Sequence, residues 1–342
     1  MRAVKLIGPR QMDSVDVDMP EADGEHVIVK ISACGICGSD LHYWDIGVGM
    51  NGLPGLIMGH EFCGTVHDPG IRDDLSSGDR VTVMPINPCG ECTTCSNGWL
   101  NICMNANKRS IPGNNSPGAF AEYVSARPDM VRTLPDNISD KEGALVEPST
   151  VALHAVNQTE LKAGESLLVI GGGPIGLLCA AWGKIKGASR VVLVEMNKFR
   201  QTFAGNTGWV DEVVNAADQK LGRTLRALSD GGFDRTVETS ASDAGIGAAI
   251  SALKPHGRIV LAGISFHHQP VHTLMLTMKE LEMRTSMGFL PEEFDMVIDH
   301  MTRKKLNVET LVTKTVALEN IPDTFNNLSS GAWKEIKITL AP

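Results

Sequence analysis

The sequence has little that would hold it in a membrane or on a polyanion. Residues 1–20 carry Arg2, Lys5, Arg10, Asp13, Asp16 and Asp18 and no long apolar run, so they do not read as a secretory leader. One stretch, 166–183, runs for 18 residues without a charge, the lower edge of a membrane span. Gly171, Gly172, Gly173 and Pro174 stand at its centre and would break a spanning helix, so a buried strand, a turn and a buried helix are expected instead. Basic residues are outnumbered: 31 Lys and Arg against 40 Asp and Glu give a net charge of −9. That balance, with no basic helix beside the cysteines, excludes broad binding of nucleic acid or an anionic membrane surface. Internal repeats and low-complexity segments are absent. The 35 glycines follow no G-x-y period, which excludes collagen. What remains is a globular composition, 42% hydrophobic and 21% charged, with length for about two domains. A cytoplasmic protein is the expectation.

Eight cysteines are present, and in a cytosolic chain of this size metal binding is favoured over disulfides. Cys89, Cys92, Cys95 and Cys103 form C-x2-C-x2-C-x7-C within 15 residues, where chance would place roughly a third of one. Four thiolates close a tetrahedral zinc shell and leave no open position, so this ion is structural. Pro88, Gly90 and Gly98 supply the turns such a knuckle needs. A redox or iron–sulfur role is disfavoured by the regular spacing and the lack of a partner cluster.

A second set of donors is dispersed. Cys37 lies in GICGSD, His60 and Glu61 in GHE, and Glu147 immediately before Pro148. Singly, a Cys is ordinarily core, a His a satisfied side chain, and a Glu before Pro a helix start. Together, one thiolate, one imidazole and one or two carboxylates suit zinc, with a position left for water or substrate.

Residues 166–170 (SLLVI) have strand character, and Gly171, Gly173 and Gly176, with Pro174 and Ile175 between the last two, fit G-x-G-x-x-G. Ile175, Leu178, Cys179 and Trp182 then recur at helical spacing, and residues 190–194 read as a second strand ending at Glu195. Strand, glycine turn, helix and an acid about 20 residues on make a dinucleotide site. The glycines let backbone N–H groups approach the pyrophosphate at a helix N-terminus. Glu195 is placed to accept ribose hydroxyls and to repel a 2′-phosphate, which favours NAD over NADP. Further strands are expected at 212–214, 233–238 and 257–264, with a helix at 244–253, completing six parallel strands. His267, His268 and His272 fall in a loop and read as surface residues.

At this point GICGSDLHYW (35–44), GHE, the four-Cys loop, GAFAEYV (118–124), VEPSTVALHA (146–155) and the glycine turn can be taken as a set. In this order the set resembles the zinc-containing medium-chain alcohol dehydrogenases, within them the sorbitol, xylitol and sugar-acid dehydrogenase branch. The resemblance implies an α/β chain: a GroES-like β-barrel catalytic domain over 1–150, with 286–342 returning to it, and a Rossmann doubly wound parallel sheet over 151–285. Candidate barrel strands are 27–33, 61–66, 79–84 and 120–125, with 314–318 and 335–340 returning. The cleft between the two domains would hold the open zinc and the nicotinamide.

The same resemblance implies Cys37, His60 and a carboxylate as catalytic-zinc ligands. Glu61 is expected as a direct ligand and Glu147 as direct or acting through water. Ser39 and His42 fall at the proton-relay positions, hydroxyl to cofactor ribose to imidazole to solvent. Arg200 would pack near the adenosine, where it could also meet a 2′-phosphate. Ala262, Gly263 and Ile264 would lay backbone against the nicotinamide. The implied reaction is hydride transfer from a secondary alcohol of a polyol or sugar derivative to NAD. Alternatives are a sugar acid, a sugar phosphate, a threonine-type amino acid, or a cofactor-binding protein without turnover. Two departures weaken the grip on a charged substrate. Asp45–Gly49 follows HYW where polar Tyr or Arg is common, and 286–290 (SMGFL) lacks the branch's late Arg. Relatives form dimers or tetramers, often through a sheet edge such as 281–286.

Overall fold

The computed structural model describes residues 1–50, 52–329 and 334–342. It divides into two compact units, Met1–Glu147 with Phe289–Pro342, and Pro148–Gly288.

The first unit begins with an antiparallel pair, β1 (Arg2–Gly8) and β2 (Gln11–Asp16). The sequence does not announce this hairpin, because Pro9-Arg10 is not one of the glycine or asparagine turn pairs that do. Arg10 itself takes the left-handed conformation, φ 57°. There follow β3 (Val27–Gly35), α1 (Gly38–Ile46), β4 (Glu61–Asp68), β5 (Arg80–Val83), the single turn α2 (Thr93–Ser96), β6 (Tyr123–Ala126), β7 (Val131–Thr133), α3 (Asp140–Ala144) and α4 (Val146–Gln158). The boundary between the units falls in the first turn of α4, where Pro148 costs no backbone hydrogen bond.

The second unit alternates strand and helix: β8 (Ser166–Ile170), α5 (Pro174–Ile185), β9 (Arg190–Glu195), α6 (Lys198–Gly205), β10 (Glu212–Asn215), α7 (Leu221–Ala227), β11 (Phe233–Glu238), α8 (Asp243–Ala252), β12 (Leu253–Leu261), α9 (Thr273–Lys279) and β13 (Glu282–Thr285). The chain then returns to the first unit through α10 (Pro291–Thr302), β14 (Val312–Ala317), α11 (Ile321–Ser329) and β15 (Lys337–Ala341).

The first unit holds a seven-stranded sheet in the order β14-β15-β3-β4-β5-β7, with β6 also paired to β3. Residues 120 and 121, expected in β6, bond elsewhere: Val4 N–H donates to the Phe120 carbonyl (2.8 Å) and Phe120 N–H to the Met58 carbonyl (2.8 Å), while the Glu122 carbonyl still accepts from Ile31 of β3 (2.9 Å). Val4, Leu6, Val29, Phe62, Phe120 and Phe325 are among the buried apolar side chains of its core. Burial of a side chain of this size contributes about 1.5–3 kcal/mol each.

The second unit is a six-stranded sheet, β10-β9-β8-β11-β12-β13, every pairing parallel. This is the doubly wound order in which the first strand lies centrally and the chain reverses direction beside it. β8 is nearly all buried, as its unbroken apolar run requires of a strand covered on both faces. β12 differs from the expected 257–264. It starts at Leu253 and stops at Leu261: the Ala262 N–H makes the last bond to β11, at the Glu238 carbonyl (2.8 Å), and the Gly263 N–H turns back to the same oxygen (2.9 Å) instead of continuing the ladder. Among the described residues no helix is long and apolar enough to cross a membrane.

Candidate functional site

Cys37 is the N-cap of α1, and Asp40, three residues on, folds back so that its Oδ2 accepts the Cys37 N–H (2.9 Å). This caps the helix start, where donors are otherwise unsatisfied, and fixes the direction of the Cys37 side chain. Asp40 is 0% exposed, and its other oxygen lies 3.5 Å from His60 Nδ1. A carboxylate behind Nδ1 orients the ring so that Nε2 is presented on the opposite side. There Ser39 Oγ stands 3.5 Å from Nε2. His60 ends the segment before β4, and Glu61 is the first residue of that strand.

The donor atoms of Cys37, His60 and Glu61 all lie within 4.8 Å of one another, with His60 and Glu61 buried. Sulfur, nitrogen and oxygen converging at that spacing fit one zinc ion with room for a further ligand. Glu147, in the first turn of α4, stands outside this tight group but is buried among the same charges. Burial, with Glu61 and Asp40 adding, raises its carboxyl to about 7, while His60 and Lys337 work against the rise. Burial opposes the His60 imidazolium, yet Asp40 and Cys37 outweigh it and hold the group well above its ordinary value. A divalent ion would compete with those protons for the same atoms.

Three neighbours were not anticipated. Asp40 was legible as a capping partner three residues beyond Cys37. Lys337 was not: in the alternating stretch Glu335-Ile336-Lys337-Ile338 it reads as solvent-facing, yet it is 3% exposed and pairs with Glu61. Burial opposes its charge, but Glu61 and Cys37 outweigh it and hold the ammonium above its ordinary value. The phenol of Tyr43, raised by burial, donates to Asn114 Oδ1 (3.2 Å) and lies near enough to feel His60. His42 is the residue before it, its ring centroid 6.5 Å from that of Tyr43.

The four-Cys loop is built locally. Cys89, Cys92, Cys95 and Cys103 place all four sulfurs within 4.8 Å of one another. Cys89 Sγ and Cys95 Sγ are 3.9 Å apart, Cys92 Sγ and Cys103 Sγ 3.8 Å. A tetrahedron with Zn–S bonds of about 2.3 Å has edges of about 3.8 Å. The N–H of Cys92 donates to Cys89 Sγ and that of Cys89 to Cys103 Sγ, each at 3.3 Å. Hydrogen bonding by Thr94 and the backbone lowers the Cys92 thiol to about 5, whereas burial raises Cys95 to about 11.

In the second unit the turn between β8 and α5 carries the glycines. Gly171 has φ 100°, and a Cβ on Gly176 would collide with the Gly171 carbonyl oxygen. Pro174 opens α5, with Ile175 and Gly176 next. Glu195, 8% exposed at the end of β9, accepts three backbone N–H groups: Gly172 at 2.6 Å, Met196 at 2.7 Å and Asn197 at 2.6 Å. Its carboxylate therefore pins the glycine turn to the start of α6. Arg200, in the first turn of α6, is held below its ordinary value by burial, against the pull of Glu195. Gly173 lies beside it, its would-be Cβ 3.9 Å from Arg200 Nη1. Ala262, Gly263 and the exposed Ile264 form the turn beyond β12, tied to Glu238.

Comparison with known proteins places the chain in a family. Residues 23–136 match the alcohol dehydrogenase GroES-like domain, and residues 174–303 match the zinc-binding dehydrogenase domain. The chain is 32% identical to a probable D-xylulose reductase A of Aspergillus clavatus, over 98% of this chain and 95% of that one. Among solved structures it resembles 2R,3R-butanediol dehydrogenase from Bacillus subtilis, at 28% identity and TM-score 0.89, covering 100% and 99% of the two chains. It also resembles a zinc-binding dehydrogenase from Sinorhizobium meliloti 1021 bound to NADP, at 26% identity and TM-score 0.89, with the same coverage. The chain belongs to the zinc-containing medium-chain alcohol dehydrogenase family.

Proposed function

We propose that the protein oxidises a secondary alcohol of a polyol or related sugar derivative, with NAD as hydride acceptor. The observation that carries the reading is the Cys37, His60 and Glu61 donor group, mixed in type, with His60 and Glu61 buried and Asp40 behind the imidazole. Similarity to a xylulose reductase and a butanediol dehydrogenase supports a hydroxylated substrate. In this reading Cys37, His60 and Glu61 hold the ion, with Glu147 beside it, and Cys89, Cys92, Cys95 and Cys103 hold a second, structural zinc. The bound ion supplies Lewis acidity toward a hydroxyl, and the nicotinamide takes the hydride.

The chain's own groups do the rest. Asp40 keeps His60 oriented. Ser39, beside His60 Nε2, takes the hydroxyl proton, and His42 passes it to solvent, a task an imidazole performs at neutral pH. Gly171, Gly173, Pro174, Ile175 and Gly176 receive the pyrophosphate, Glu195 and Arg200 the adenosine side, and Ala262, Gly263 and Ile264 the nicotinamide end. A carboxylate at Glu195 that already serves three backbone donors has no place for a 2′-phosphate, which supports NAD. Residues 1–150 with 286–342 form the catalytic domain and 151–285 the nucleotide domain. The enzyme works in the cytoplasm as a homo-oligomer, dimer or tetramer.

The test is a panel of polyols, sugar acids, sugar phosphates and threonine, run on zinc-loaded protein with NAD and with NADP. Reduction of NAD by polyols, with weak use of NADP, is the expected result. Turnover only on threonine, or none on any alcohol, would overturn it.

A further inference from the structure

In the second unit, β11 lies between β8, which leads into the glycine turn, and β12, which leads into residues 262–264. The three strands run parallel, so their carboxyl ends share one edge, where sheets of this kind bind nucleotides. Glu238, the last residue of β11, and Thr239 after it reach in opposite directions along that edge. Thr239 Oγ donates to the Ile170 carbonyl (2.8 Å), and a Cβ on Gly171 would fall 2.6 Å from that hydroxyl. Glu238 serves the other side, its carbonyl accepting the N–H groups of Ala262 and Gly263.

The Glu238 side chain does a second task. It is a carboxylate 1% exposed, and both of its oxygens face donors. One accepts the Ser240 N–H (2.8 Å) and the Ser240 hydroxyl, the other the Ala241 N–H (3.1 Å). These bonds fold the chain into a turn in which Ala241 takes the left-handed conformation, φ 54°, at a cost to any residue with a Cβ. Such strain persists only where the surroundings hold it. What rests on the strained turn is Gly263: a Cβ there would fall 2.6 Å from Ala241 N and 3.0 Å from Glu238 Oε2. Gln269 Nε2 closes the other side, donating to the Ala241 carbonyl (2.8 Å). We infer that Glu238 is a positioning residue for the nicotinamide half of the cofactor. Its carboxylate holds the Ser240–Ala241 turn against which Gly263 lies, and so fixes the backbone of 262–264, while Thr239 serves the pyrophosphate turn. This rests on the reading that 262–264 receive the nicotinamide end.

The experiment measures, by calorimetry on zinc-loaded protein, the dissociation constants of NADH and of ADP-ribose, which carries the adenosine and pyrophosphate without the nicotinamide. The readout is the ratio of the first constant to the second. Glu238→Gln keeps the volume but turns an amide N–H2 toward a backbone donor, and the ratio should rise about tenfold. Adding Ala241→Gly should recover about threefold or more of that rise, because glycine takes the left-handed form without the Cβ penalty. Thr239→Val should leave the ratio within about twofold, since both ligands carry the pyrophosphate. If Glu238→Gln does not fold, Ser240→Ala, which removes one partner of the carboxylate, is read in its place. A rise below about threefold in the variant read, no recovery with glycine at 241, or an equal rise in Thr239→Val would overturn the inference and leave the nucleotide site standing. The underlying reading fails separately: if the original chain binds ADP-ribose as tightly as NADH, 262–264 do not receive the nicotinamide, and the role of Glu238 falls with them.

Discussion

The two donor groups of the first unit differ in how they are assembled. The four sulfurs come from one stretch, Cys89 to Cys103, and the turns around α2 suffice to gather them. Cys37, His60, Glu61, Glu147 and Lys337 come from the N-cap of α1, the start of β4, the first turn of α4 and the last strand. One group is uniform, with four like donors; the other mixes thiolate, imidazole and carboxylates and sets a cation and Asp40 around them. A uniform, closed shell suits an ion that only holds a loop. A mixed shell suits an ion that must accept and release a substrate.

The sharpest way to break this comparison is to remove one donor from each group. His60→Ala should lower turnover by about a thousandfold or more while the protein stays folded and keeps one zinc per chain. Zinc analysis alongside NADH formation checks both halves. Cys103→Ser should do the reverse. It should lose the loop's ion and destabilise the chain by on the order of 3 kcal/mol, seen as a lowered denaturation midpoint. Turnover per folded molecule should stay within about tenfold. Loss of chemistry without loss of stability in Cys103→Ser would erase the distinction.

Glu147 sharpens the contrast through pH. In the metal-free chain its carboxyl titrates near 7 rather than at the ordinary 4.5. The folded state therefore holds this proton more tightly than the unfolded one. Its contribution to stability is full below the ordinary value and is lost as pH rises through about 7, by up to about 3 kcal/mol. Glu147→Gln should flatten that slope in denaturation of the metal-free chain at mildly acidic and mildly alkaline pH. An unchanged slope would remove Glu147 from the buried charge cluster. The smallest effect is expected behind the ligands: Asp40→Asn should weaken zinc retention at His60 by about ten- to a hundredfold and leave the four-Cys ion untouched. Equal loss of both ions would mean that Asp40 supports the fold rather than the ring.

The same difference in assembly decides what was legible in the sequence. The four-Cys spacing and the strand, glycine turn, helix and acid of 166–195 are local patterns, and β8 and β9 fall where the pattern placed them. The first-unit donors could be named only as a set resembling a family, because no spacing links residue 37 to residue 147. Lys337 was invisible for a physical reason. Alternation along a strand marks which face a side chain takes, but not whether that face meets water, and here it meets Glu61 over Gly35. The end of β12 falls short of the expected 264 because β11 ends at Glu238, whose carbonyl takes the last ladder bond from Ala262 and then the Gly263 N–H as well. The first hairpin lacked a turn signal, since Arg10 adopts a left-handed backbone that its side chain does not favour.

The central claim is that one ion sits among Cys37, His60 and Glu61 with a coordination position to spare, while another is enclosed by four sulfurs. Anomalous diffraction at the zinc edge, on crystals of protein shown to be active, tests it most directly. Two peaks per chain are predicted, one bounded by Cys37 Sγ and His60 Nε2, the other at the centre of Cys89, Cys92, Cys95 and Cys103. A single peak in the four-Cys loop, with Cys37 and His60 turned away from each other, would contradict it.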